Sequence, residues 1–330
     1  MSRADFRTIF GRIFRFFFLG GLIVFLYFTT FGWRSTQSSS SVSGISYQKE
    51  STARAVKEHV YALSEQIGLR SMAQYDNLQR AAAYIADNFE KNGLAVQSQE
   101  YEADGKMVRN IIAQKKDGLS TGKVLIIAAH YDSYYTPGAD NNASGIAALL
   151  ELAHVLSLEN TKMTIRYVAF VNKEPPFYGT DKMGSAVFIE SLKASGDDVA
   201  GVIILDSIGY YSTGLKSQRY PPLLGLIYPP KANFVALVSN LKSMDFAKSI
   251  ESLLRVKMPI PLEFFVGFDF IDSDHVLFWK NNYPAVLLTD TGSYRNPDYY
   301  SLFDTYPSVH YQNIVQMVEG LAQTIQVLAN

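Results

Sequence analysis

The sequence predicts an α/β domain with a mostly parallel central sheet flanked by helices, preceded by one N-terminal transmembrane helix. Three observations carry that expectation. Beyond residue 120, short continuous apolar runs alternate with helical patterns: Val124–Ala129, Tyr167–Val171, Val202–Leu205 and Ala285–Leu288. Runs apolar on both faces fit strands buried between two helix layers. Each run ends on polar or ionisable residues, and an uncharged segment, 16–33, follows a basic N-terminus.

The N-terminal segment divides by composition. Residues 1–15 carry Arg3, Arg7, Arg12 and Arg15 against Asp5, and residues 16–33 carry no charge. Eighteen helical residues span roughly 27 Å, enough to cross a hydrocarbon core. Residues 34–48 hold one charge near their start, Arg34, and are serine-rich until Lys49. The charge asymmetry predicts a cytoplasmic tail (1–15), a signal-anchor helix (16–33), a linker (34–48) and an extracytoplasmic domain (49–330), in the periplasm or at the cell exterior. A cleaved signal peptide is the rival reading. No small-x-small site follows the run, however, and the run is long for a signal core.

Within the domain, residues 49–69 and 76–92 have helical spacing; in the second, Leu78, Ala81, Ala82, Ile85, Ala86 and Phe89 form one stripe. Strand-like pieces follow at 95–103 and 108–115, then the four buried runs, and helical spacing returns over 307–329. There is no internal repeat.

Thirty basic against 31 acidic side chains, a net charge of −1, exclude nucleic-acid binding through bulk charge. The absence of cysteine excludes disulfides, thiolate zinc sites and a cysteine nucleophile. Any metal must rest on His, Asp, Glu or neutral oxygens.

The four runs end at His130-Tyr131-Asp132, Asn172-Lys173-Glu174, Asp206 and Thr289-Asp290. In open α/β sheets ligands bind beyond the carboxyl ends of the strands. A histidine and several carboxylates on one edge suit a hydrolytic zinc site, in which paired ions about 3.5–4 Å apart polarise a carbonyl and generate hydroxide. Taken singly, each of these residues reads equally well as a solvated loop residue or a turn cap.

The segments HYDS (130–133), PGADNNASGIAALLELA (137–153), FVNKEPPFYGT (170–180), LDSIGYYS (205–212), SDHVLFW (273–279) and TDTGSYRNPDYYSLFDT (289–305) together resemble the co-catalytic zinc aminopeptidases, metallopeptidase family twenty-eight. That family includes leucyl aminopeptidases, glutamate carboxypeptidase and glutaminyl cyclases, and the likeness spans residues 50–330. SQRYPP (217–222) and EPPF (174–177) point to a bacterial branch. The resemblance implies zinc, with His130 and Asp206 as ligands of the first ion and Glu174 as a ligand of the second. It makes Asp132 the carboxylate that orients His130. It also implies substrate-pocket positions at Asp274, His275 and Arg295.

Three positions depart from the family pattern. Asn141 stands where the bridging aspartate is expected, Lys173 where the general base is expected, and Tyr300 where the last histidine ligand is expected. Asp140 is the adjacent stand-in for the bridging acid. An amide bridges two cations poorly, and tyrosine ligates only as phenolate, from a reference pKa of about 10. Lys173, among carboxylates, should stay protonated and be a poor base. It would thereby supply the cation that the acids require.

Zinc is therefore expected to be absent, weakly held or reduced to a single ion. The leading expectation is a membrane-anchored domain that has lost ordinary peptidase activity and binds a peptide or protein ligand in the former cleft. A single-zinc aminopeptidase is the alternative. Cyclase-type acyl transfer comes third, because by the resemblance it uses the bridging aspartate and the final histidine. A nucleic-acid partner is not expected.

Overall fold

The computed structural model describes residues 49–115, 122–267 and 271–330, all within one compact unit. The basic tail, spanning helix and linker read from residues 1–48 lie outside the described residues. Among the described residues no helix is long and apolar enough to cross a membrane.

The described residues open with α1 (Lys49–Tyr61), which widens into a π-helical turn (Ala62–Ile67), then α2 (Tyr75–Lys91). The hairpin β1 (Ala95–Ala103) and β2 (Lys106–Gln114) follows. Next come β3 (Lys123–His130), α3 (Gly145–Ser157), β4 (Thr164–Phe170), α4 (Gly184–Ser195) and β5 (Asp198–Leu205). The last part holds β6 (Val235–Ser239), α5 (Met244–Lys257), β7 (Leu262–Val266), α6 (His275–Lys280), β8 (Ala285–Thr289) and α7 (Tyr311–Leu328).

Eight strands make one sheet in the order β1-β2-β4-β3-β5-β8-β6-β7. The centre, β4-β3-β5-β8, is parallel throughout. The expectation of a mostly parallel sheet needs correcting at the flanks, where β1–β2, β2–β4 and β6–β8 are antiparallel. One cause is local. Asp104 and Gly105 both have positive φ, 48° and 75°, the two-residue turn whose twist matches a hairpin. Strands β6 and β7, with α5 between them, are additional to the elements that the sequence pattern predicts.

The continuous apolar runs are explained by burial on both faces. Leu125, Ile127 and Ala129 of β3 enter one core, beneath α1, α2, α3, α5 and α7. Val124, Ile126 and Ala128 enter the other, beneath α4 and α6. Strands β5 and β8 alternate likewise, Ile203 and Val286 against Val202 and Leu287. A strand with no wet face needs no polar alternation.

Candidate functional site

The strand order decides which side chains meet. Because β3 lies between β4 and β5, the residue at its end, His130, is bracketed by the loop after β4 and by Asp206 after β5. Asp132 joins the first two loops: its carboxylate accepts the N–H of Lys173 at 3.1 Å and of Glu174 at 2.8 Å. It also stands 3.4 Å from His130 Nδ1. On the other side of the ring, His130 Nε2 is 3.4 Å from Asp206 Oδ1 but makes no well-formed hydrogen bond.

Lys173 occupies the middle of this group. Its Nζ lies 3.2 Å from Asp206 Oδ2 and 3.3 Å from Glu174 Oε1. Ser273 Oγ donates to Asp206 Oδ2 at 2.6 Å, and Asn141 Nδ2 donates to Glu174 Oε1 at 2.8 Å. The amide oxygen of Asn141 accepts from Tyr299 OH at 3.2 Å. His130, Asn141, Lys173, Glu174 and Asp206 are all at most 3% exposed.

For Lys173, His130 and Asp206, neighbouring charge outweighs the effect of burial. Burial works against the Lys173 ammonium, but Asp206 and Glu174 outweigh it and raise its pKa well above the ordinary value. Burial likewise opposes His130 protonation, and Asp206 and Asp132 override it, pushing the imidazole up to about 10. Asp206 sits well below the usual carboxylate range: burial raises it, and Lys173 and His130 more than reverse that. Two cations thus face the carboxylates of Asp132, Glu174 and Asp206.

The remaining predicted residues are placed differently. Asp140 is spoken for: Oδ1 accepts from Gly209 N–H at 2.8 Å and Oδ2 from Asn296 Nδ2 at 2.7 Å. Burial, then Asp290 and Asp304, raise its pKa. Neither oxygen is turned to His130, Glu174 or Asp206, so Asp140 does not take the bridging position. Tyr300 is 54% exposed and lies edge-on to Tyr299 and Tyr134. Burial and the nearby Glu174 push its phenol up to about 12, against the phenolate that ligation needs.

The three substrate-pocket positions are buried side chains. Asp274 accepts from Ser185 Oγ at 2.5 Å through Oδ1, and burial raises its carboxyl to about 6. His275 lies edge-on to Trp279. Arg295 donates to Gln218 Oε1 and to the Phe234 carbonyl, both within 3 Å.

Two residues outside the expected ligand set are structurally central. Arg70, fully buried, donates to the carbonyls of Leu63, Gly68, Tyr131, Pro137 and Gly138. It binds the end of the π-turn to the loops carrying Asp132 and Asn141. Tyr299, rather than its neighbour Tyr300, makes the hydrogen bond to the site. Nothing in the spacing of the two tyrosines distinguishes them. An arginine shortly after a helix carries no signal that it will be buried.

The donor set does not fit a pair of zinc ions. The position between Glu174 and Asp206 is held by an ammonium, and the amide of Asn141 turns a donor, not an acceptor, toward Glu174. Among the described residues no group of three or more His, Asp or Glu is disposed to hold a metal.

The architecture is an open α/β sheet whose parallel centre gathers acids and a histidine at its carboxyl edge, where such folds bind ligands. Residues 110–325 match peptidase family M28, and the chain belongs to that family. It is 35% identical to the uncharacterized protein YfbL of Escherichia coli K12, over 96% of this chain and 97% of that one. LapB of Legionella pneumophila superposes with a TM-score of 0.68 at 19% identity, covering 89% of this chain and 78% of that one. The zinc aminopeptidase BSAP of Bacillus subtilis gives 0.66 at 14% identity, covering 84% and 95%. Porphyromonas gingivalis glutaminyl cyclase gives 0.63 at 18% identity, covering 86% and 99%. At these identities the solved structures establish the fold alone.

Proposed function

We propose that this M28 domain has exchanged two-zinc hydrolysis for ligand binding, with Lys173 serving as the cation that the former metal site requires. The observation that carries this reading is the Lys173 ammonium 3.2 Å from Asp206 and 3.3 Å from Glu174 inside a buried site. The same substitution removes the base: an ammonium held by two carboxylates has no lone pair to accept a proton from water. A peptide or protein ligand would meet the rim of Tyr134, Tyr135 and Tyr300 above the charged group, beside a cavity of about 40 Å³ lined by Asp132, Glu174 and Phe177. Residues 16–33 would hold the domain on the extracytoplasmic face of the membrane.

A second reading, a single-zinc aminopeptidase, is favoured by one feature: His130 Nε2 is buried without a hydrogen bond, beside Asp206. Metal analysis of the purified protein together with turnover of aminoacyl-anilides separates the two. Zinc below stoichiometric amounts and no turnover support the binding reading. One tightly held zinc per chain with turnover removes it. Restoring Asn141→Asp, Lys173→Glu and Tyr300→His together is expected to raise zinc content. Single reversions should do little, because the groups act as a unit.

A further inference from the structure

Between β5 and β6 the chain makes a long excursion whose base is tightly held. Ser212 N–H donates to Ala232 O at 2.8 Å, closing the neck. Tyr220 OH donates to Pro229 O at 2.7 Å and Tyr228 OH to Phe264 O at 3.0 Å. Tyr228 stacks on Phe265 with ring centres 3.9 Å apart, and Leu224 is buried. On this fixed base the tip faces outward and is apolar. Leu215 and Leu226 are each 84% exposed, Leu223 76% and Ile227 57%. Leu223 has φ +74°, a region that bulky side chains rarely adopt.

Its surroundings are basic. Residues 207–231 contain no Asp or Glu, and Lys216, Arg219 and Lys231 flank the apolar tip, all exposed. The neck of the loop also lies near α1, at the start of the domain. His310 packs edge-on against Tyr210 and Tyr211, directly before the neck. His310 and Tyr311 in turn share a groove with Ala53, Arg54 and Lys57 of α1. Ala53 is one helical turn, about 6 Å, from Lys49. Fifteen residues, 34–48, separate the end of the apolar run at Trp33 from Lys49, a contour length of at most roughly 50 Å. On the anchor reading of 16–33, that length is the longest tether the domain can have from the bilayer.

We infer that loop 213–231 is a membrane-docking protrusion, seating Leu223, Leu226 and Ile227 at the acyl–headgroup boundary with Lys216, Arg219 and Lys231 over anionic phospholipid headgroups. The inference rests on the anchor reading of residues 16–33. Apolar side chains that enter the interface while lysine and arginine meet anionic lipid describe interfacial attachment, and a second attachment fixes orientation where an anchor alone leaves a domain free to swing. The carboxyl edge of the sheet, where the loop begins after β5, would then face the membrane.

The chain has no cysteine, so single thiols report cleanly. The full chain carrying a spin label at Leu226→Cys is reconstituted in phosphatidylethanolamine–phosphatidylglycerol vesicles. Leu158→Cys is the control: it is 78% exposed and follows α3, at the opposite edge of the sheet. The label at 226 is expected to gain collisions with oxygen and lose collisions with a water-soluble nickel chelate relative to the label at 158. Adding Leu223→Asp and Ile227→Asp should abolish that contrast. The contrast should also fall in vesicles of phosphatidylcholine alone, and its persistence there would overturn the role given to the three basic residues.

Flotation after a carbonate wash tests the anchor separately. A chain that floats while position 226 is as open to nickel as position 158 refutes docking and leaves the anchor standing. A chain washed off the vesicles refutes the anchor, and docking with it. A label at 226 shielded from both reagents means that protein covers the tip, which also overturns the inference.

Discussion

Replacing Lys173 with methionine tests whether the ammonium holds the site together. Methionine keeps most of the side-chain volume and removes the charge. It leaves Glu174 and Asp206, 3% and 1% exposed, without the cation 3.2–3.3 Å away. Removing one partner of a buried ion pair costs about 3–5 kcal/mol, because the other charge stays desolvated and unpaired. His130 beside Asp206 and the Asn141 amide on Glu174 soften the loss, which favours the lower end of that range. For a domain of this size, roughly 2–4 °C accompanies each kcal/mol, so the melting temperature should fall by roughly 6–12 °C at pH 8. The loss should be smaller at pH 5. A carboxylate stripped of its cation and held in a buried site binds its proton more tightly folded than unfolded. Such a group favours the fold at low pH and ceases to do so as pH rises through its folded value. Denaturant titration of Lys173→Met at both pH values, with Lys173→Met/Glu174→Gln as the partner variant, reads the effect. The double variant should recover part of the loss. Equal or greater stability of Lys173→Met at pH 8 would refute the assignment of a charge-compensating role to Lys173.

Three further outcomes follow from the same geometry. Burial raises the Asp274 carboxyl from 3.8 to about 6, so its protonated form favours folding at low pH, and about 3 kcal/mol of that is lost as pH climbs past 6. Asp274→Asn should therefore gain on the wild type between pH 4 and pH 8, and a pH-independent difference in unfolding free energy would contradict this. Gly138 has φ +62° and its added Cβ would lie 2.8 Å from Ser133 Cβ and 2.9 Å from Arg70 Nη2; Gly138→Ala should cost about 1–3 kcal/mol by thermal unfolding. Arg70→Met strands several buried carbonyls, at a cost of about 3 kcal/mol or more, and a melting temperature within a degree of wild type would show that Arg70 is dispensable.

The parts legible in the sequence are those with an uninterrupted physical signal. Strands β3, β4, β5 and β8 announced themselves as apolar runs because both faces are buried. The residues ending them, His130, Glu174 and Asp206, meet because parallel strands deliver their carboxyl ends to one edge. Strand β6 is as short and as buried as β8 but ends without an acid or histidine to mark it, and β7 is buried at only two of its five positions. The antiparallel flanks depend on which neighbour a strand pairs with, and periodicity is silent on that. Arg70 and Tyr299 owe their roles to chain crossings 60 or more residues away, which no local pattern encodes. Asp274, His275 and Arg295 were expected in a substrate pocket, but solvent access depends on how the surrounding loops close.

The departures at Asn141 and Lys173 are best understood as one change. With an aspartate at position 141, Glu174 would face a second carboxylate across the gap now spanned by a 2.8 Å amide hydrogen bond, and one monovalent ammonium would have a further acid to neutralise. With a glutamate at 173, Asp206 and Glu174 would face another carboxylate, and only divalent cations would make the burial of so many like charges tolerable. Changing position 141 lowers the negative charge, and changing position 173 both lowers it further and adds a positive one. Each substitution alone leaves the site mismatched in charge; together they bring the buried acids closer to balance. The same reasoning explains why Asp132 keeps its place. Its carboxylate is tied by the backbone N–H groups of Lys173 and Glu174, bonds that depend on the loop and not on any ion. Its place beside His130, 3.4 Å from Nδ1, therefore rests on the loop itself.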